Sequence, residues 1–183
     1  MSIVRSVIFV VALASLSSAT PFISQLTAAQ HASHTGSSAS VLVDAVREAT
    51  REFRDARNVP EGYGAVLGCV SGPDAGAMGV HFVNAELLMD NELDPKHPEA
   101  LIYESKNGVA RLVGVEFIVF ASVWHETHAP NDPPLVEGQL MHFVESPNRF
   151  GLPAHYEIHV WAWRDNPNGP FVDWNPRVSC EGQ

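Results

Sequence analysis

GLPAHYEIHVWAW, Gly151 to Trp163, alternates in a way that reads as a β-strand. Side chains on a strand turn to opposite faces at each step. His155, Glu157, His159, Trp161 and Trp163 then share one face, with His155 toward the strand's exposed end. Tyr156, Ile158, Val160 and Ala162 share the other, which is an ordinary apolar core face. Three groups able to hold a metal or a proton stand in a row on the first face, continued by two indoles. A solvated face edged with tryptophan is the plainer alternative.

Working outward, the clearest neighbour is a hairpin. ALIYES and ARLVGVEFIVF flank Lys106-Asn107-Gly108-Val109, and Asn-Gly is the strongest short hairpin signal. A two-residue turn pairs Glu104 with Arg111 and Tyr103 with Leu112. It puts Glu116 on the face of Leu101, Tyr103, Leu112, Ile118 and Phe120, where an unpaired carboxylate is costly. Gly79 to Val83 alternates as a strand carrying His81, after a glycine-rich run of turns and strands from Gly62. Asn84 can cap a helical turn in AELLMD before the Asp-Pro and His-Pro breaks. Gln139 to Val144 reads as one short strand with His142 beside Leu140 and Val144. SPNRFGLP is a turn whose Asn148-Arg149 could hold an anion or bridge turns. FVDWNPRVSC is a last extended piece.

Before these strands, Ser40 caps a helix expected to run to about Arg57, with Leu42, Val46, Ala49, Phe53 and Ala56 on one stripe. The fold class is therefore α+β: an N-terminal amphipathic helix packed on a mostly antiparallel, curved sheet or small β-barrel.

The 183 residues suffice for one domain, expected over 40–183. Residues 1–19 have the pattern of a secretory signal: Arg5, an apolar run from Val7 to Leu16, and the small residues Ser17-Ser18-Ala19. Residues 20–39, rich in Ser, Ala and Thr, read as a flexible leader. The apolar run is too short for a membrane span, and none of spanning length follows. A secreted or periplasmic location is expected. The formal charge of −10 argues against nucleic acid as a partner. Cys69 and Cys180 are the only cysteines, and export to an oxidising compartment would pair them.

The blocks GAMGVHFVN (76–84), LVGVEFIVF (112–120), SPNRFGLPAHYEIHVWAW (146–163) and FVDWNPRVSC (171–180) resemble those of a family of short exported bacterial proteins with no attached activity. The resemblance implies export and no reaction. A cupin barrel is an architectural analogy only, because its HxH with a nearby Glu is absent. The run Trp124-His125-Glu126-Thr127-His128 is not a zinc-protease motif. Its histidines are three apart, not four, and prolines follow, so it reads as a loop.

Several strands thus bring inward-looking polar residues that a curved sheet can gather. Two histidines and a carboxylate suit a non-haem iron triad or catalytic zinc. The best set is His81, Glu116 and His159, with His142 or Glu157 as alternates for one position. A hydrogen-bonded core network is the structural alternative for each, and Glu116 with His159 could also do acid–base work without metal. Trp161 and Trp163, with Trp174, could form a platform for a flat ligand or simply fill the core. The expectation is an exported protein binding a divalent metal (zinc or iron), with a small-molecule metalloenzyme as one form of it. The rivals are a non-enzymatic binding module with a Trp-lined pocket and a structural envelope protein.

Overall fold

The computed structural model describes residues 41–72 and 74–181. The signal and leader segments expected from the sequence lie outside these residues.

The sequence's helix is shorter than its apolar stripe suggests. Helix α1 covers 41–50, and the chain continues through two 3-10 turns, Arg51–Phe53 and Ala56–Asn58. Leu42, Val46 and Thr50, spaced by four, are fully buried. Past Thr50 the backbone is drawn to the sheet. The amide of Leu112 donates to the Arg54 carbonyl, and Asp55 bridges to Arg111. An uninterrupted helix would consume that carbonyl internally.

The sheet has six antiparallel strands in the order β1-β2-β3-β4-β8-β7. They are β1 (Tyr63–Gly72), β2 (Gly76–Asn84), β3 (Ala100–Lys106), β4 (Val109–Phe120), β7 (His142–Val144) and β8 (His155–Val160). A short helix, α2 (Ala121–Trp124), follows β4. The segment expected as one strand at 139–144 divides: β5 (Leu135–Val136) and β6 (Gln139–Leu140) form a separate two-stranded hairpin. The sheet curves as a half-barrel, with β1 and β7 at its open edges. Asn84 caps as expected, its side-chain oxygen accepting from the amides of Glu86 and Leu87. No helix among the described residues is long and apolar enough to cross a membrane.

The β3–β4 hairpin turns at Asn107-Gly108, both at positive φ (54° and 77°), and pairs Glu104 with Arg111 and Tyr103 with Leu112. Beyond that the register shifts: Tyr103 faces Leu112, but Ile102 faces Gly114. One extra residue in β4 reverses which side chains share a face. Glu116 therefore does not share a face with Leu101, Tyr103 and Leu112, as the unbulged register implies. It keeps Ile118 and Phe120. Gly114 is required here, since a Cβ would meet the Val160 carbonyl oxygen at 2.7 Å.

The larger core lies on the face covered by α1. Leu42 and Val46 pack with Leu101, Tyr103, Leu112, Val115, Phe117, Ile158 and Val160. Polar ties fix the helix: Trp163 Nε1 donates to Thr50, Arg47 Nε to the Ala162 carbonyl, and Tyr103 to the Phe53 carbonyl. The C-terminal segment is anchored twice. Cys180 is disulfide-bonded to Cys69, 111 residues away. Buried Glu104 accepts from Arg164 and from the Ser179 amide, and pairs with Lys106.

Candidate metal centre

The second face of the sheet carries the polar row. Pairing Ala100↔Glu116↔His159 lines β3, β4 and β8 across it, and His81 joins from β2. These are central strands, which hold side chains more rigidly than loops. Glu116 and His81 are about 5% and 6% exposed, and His159 is fully buried.

His81 Nε2 lies 3.3 Å from one Glu116 oxygen, and His159 Nε2 lies 4.0 Å from the other. The two imidazoles stand nearly perpendicular, with centroids 5.7 Å apart. One ligand atom from each of His81, Glu116 and His159 falls within 4.8 Å of the others. Ligands about 2.0–2.2 Å from one ion sit at such separations after slight contraction. A second group shares His159 and adds Glu157 and Asp173. Its Nδ1 is 3.8 Å from Asp173, so the two ring nitrogens face different carboxylates.

Neither nitrogen of His159 has a hydrogen-bond partner, and neither does Oδ1 of Asp173. A neutral imidazole must carry a proton on one nitrogen, and a buried unmatched donor costs about 1–3 kcal/mol. Burial pushes the pKa of His159 down. His81 falls to about 3, first through burial and then through the neighbouring His159. Both shifts favour the neutral ring, the form that binds a metal.

The carboxylates divide their roles. Burial, and then the charge of Glu157, raise Glu116 well above the usual range. Burial also works against ionised Glu157. The hydrogen bond from His155, the nearby His159 and the hydrogen bond from Glu116 outweigh it and hold Glu157 at about 2. These shifts favour a proton on Glu116 and a charge on Glu157. His155 completes the chain, with Nε2 3.0 Å from Glu157 and Nδ1 2.8 Å from the Pro153 carbonyl. A carbonyl only accepts, so Nδ1 carries a hydrogen. Burial disfavours the imidazolium, but these two acceptors win and raise the His155 pKa. His155 is not at an exposed strand end: it is 1% exposed. The reason is that Phe120 and Val144 pair with it from either side.

Among the expected residues, the structure brings together His81, Glu116 and His159, and Glu157 shares a second group with His159. His142 is set apart. It pairs in register with Glu157, but on edge strand β7 its side chain is 54% exposed, and it lies 3.6 Å from Asp173. Asp173 was not foreseen: it stands in an irregular segment with no periodicity to point its side chain. Only one of the two indoles continues the row, because β8 ends at Val160. Trp161 stays on the site face, stacked on His159 with its Nε1 donating to the Val172 carbonyl. Trp163 packs with the α1 core under the Arg54 guanidinium. Both line one surface hollow together with Arg47 and Asn166. Arg149 ties its turn to the end of β1, donating to the Ser71 carbonyl beside Trp174.

A cavity of about 290 Å³ opens against this face, lined by His81, Glu116, His155 and Glu157 and otherwise by apolar side chains. Compared with protein-family models, curated proteins and solved structures, the chain has no match.

Proposed function

We propose that this is an exported protein that binds one divalent metal, zinc or iron, through His81, Glu116 and His159. Glu157 and His155 act as the supporting hydrogen-bonded shell. The observation that carries the reading is His159, a fully buried imidazole with both nitrogens unpartnered and two carboxylates about 4 Å away. A metal on Nε2 would satisfy that nitrogen, draw Glu116 into its ionised form and leave Nδ1–H to face Asp173. Three protein ligands leave coordination positions for water or a substrate, which is the arrangement of a metalloenzyme acting on a small molecule. Export is supported by the signal-like pattern of residues 1–19, by the resemblance of its sequence blocks to exported proteins and by the disulfide.

Elemental analysis of untagged protein, followed by zinc titration of the EDTA-dialysed chain, tests the reading. One metal per chain, with a melting temperature that falls on chelation, is expected. A chain without metal whose melting ignores both zinc and chelator would return the row to a purely structural network.

A further inference from the structure

We infer that the cavity beside Glu116 and His81 takes a small hydrophobic molecule with a single oxygen-donor end. For the identity of that end the inference rests on the metal reading above; for the apolar body it does not.

The cavity's chemistry is divided. Its four polar side chains line the same cavity in two close pairs: His81 lies 3.3 Å from Glu116, and His155 lies 3.0 Å from Glu157. Every other lining side chain is apolar, among them Val83, Ile118, Phe120 and Leu152. A site of this form selects a ligand with one polar end and an apolar body. At about 290 Å³ it is at the small end of ligand sites, with room for about ten to fifteen non-hydrogen atoms.

The rim carries a second, independent sign. In β1, Val66 pairs with His81 and Cys69 with Val80, so Leu67 and Gly68 are extra. Leu67 stands at φ 63°, a conformation leucine disfavours, and is 54% exposed at the cavity's edge, beside Val66 at 42%. Bulges and strained residues of this kind re-aim side chains at binding sites. Here they place two aliphatic side chains where an apolar ligand would cover them.

The geometry also orients the ligand. His81 and Glu116 line the cavity, while His159 stands behind them. A metal held by these residues would adjoin the cavity at His81 and Glu116, so an oxygen-donor end would meet it there while the body lies along the apolar walls.

Two titrations decide it. In EDTA-dialysed protein, 1-octanol should bind saturably at one per chain. Ala85→Trp, at the exposed rim, should weaken it at least tenfold. Val66→Trp serves as a second blocking variant, and each is used only with a wild-type-like melting transition. Absence of saturable binding, or equal binding by both blocked variants, overturns the cavity. In zinc-loaded protein, octanohydroxamate should bind at least tenfold tighter than acetohydroxamate, and Ala85→Trp should abolish the difference. If zinc binds but the two hydroxamates do so equally, the inference fails and the metal reading stands. If zinc does not bind, the metal reading fails and the octanol result alone decides the cavity. Undiminished affinity for 1-hexadecanol would also overturn it, since that chain exceeds the cavity.

Discussion

Glu116 on β4 and His159 on β8 are direct cross-strand partners, yet Nε2 of His159 lies 4.0 Å from the nearer carboxylate oxygen and has no hydrogen-bond partner. The gap is too long for a hydrogen bond and suited to two ligands of one ion. Burial favours a proton on metal-free Glu116, so Glu116→Gln replaces one neutral donor by another. In metal-free protein the variant should unfold within about 1 kcal/mol of wild type. Zinc affinity should fall by about tenfold or more, as it does when a site loses even a supporting group. Calorimetric titration beside chemical denaturation measures both. Unchanged zinc affinity removes Glu116 from the ligand set.

Glu99 gives the pH dependence. It is 1% exposed, and one oxygen accepts from the Ile118 amide. Burial raises its pKa to about 8 from an ordinary value of 4.5. Between these values the unfolded chain loses the proton while the folded chain keeps it. The folded state binds more protons there, so stability falls as pH rises from about 4.5 to about 8, then levels. The full effect is of order 3–5 kcal/mol. Glu99→Gln keeps the acceptor for Ile118 and should reduce this slope in denaturant midpoints measured across pH 5–8, with raised Glu116 contributing to what remains. A slope identical to wild type would show that Glu99 titrates normally.

The disulfide spans most of the described chain, Cys69 to Cys180. Closing a loop of this length restricts the unfolded chain by about 4–5 kcal/mol on the chain-entropy estimate. Reduction should lower the denaturation midpoint accordingly. An unmoved midpoint in protein shown by mass to be fully reduced would contradict this.

Gly114→Ala forces a Cβ to within 2.7 Å of the Val160 carbonyl oxygen and 3.3 Å of the Trp161 ring. Strand β4 and the end of β8 must then separate. The expected cost is about 1–3 kcal/mol. Because Val160 adjoins His159, zinc affinity should fall in the same variant. Wild-type stability would mean that the bulge relaxes freely.

Much of this was legible wherever one local rule acted alone. The Asn107-Gly108 turn fixed Glu104 opposite Arg111, because the turn type sets register. Alternation around His159 separated polar from apolar faces correctly as far as Val160. It failed at Trp163 because the chain leaves the sheet after Val160, where the amides of Trp163 and Arg164 both donate to Val113. The β4 bulge was equally hidden: Gly114 marks a close approach only once Val160 is known to lie over it. Three of the neighbours expected for Glu116 lie on the other face, and Glu116 stands instead beside Ile118, Phe120 and the buried polar row. Asp173 had no signal, because its position depends on a segment pinned by tertiary contacts, the bridge from Ala77 to Asn175 and the disulfide.

The strand order sets when the centre can exist. His81 and Glu116 come from strands made early in the chain, but His159 arrives only on β8, which inserts between β4 and β7. Until β8 has docked, a growing chain presents no complete ligand set and cannot be charged with metal during synthesis. On the proposed metal reading, the ion would be taken up where the last strand closes, from the metals available in that compartment, and affinity alone would not choose it. A chain kept unfolded through export would be supplied outside the cytoplasm, and the same sequence folded prematurely inside would acquire a different ion.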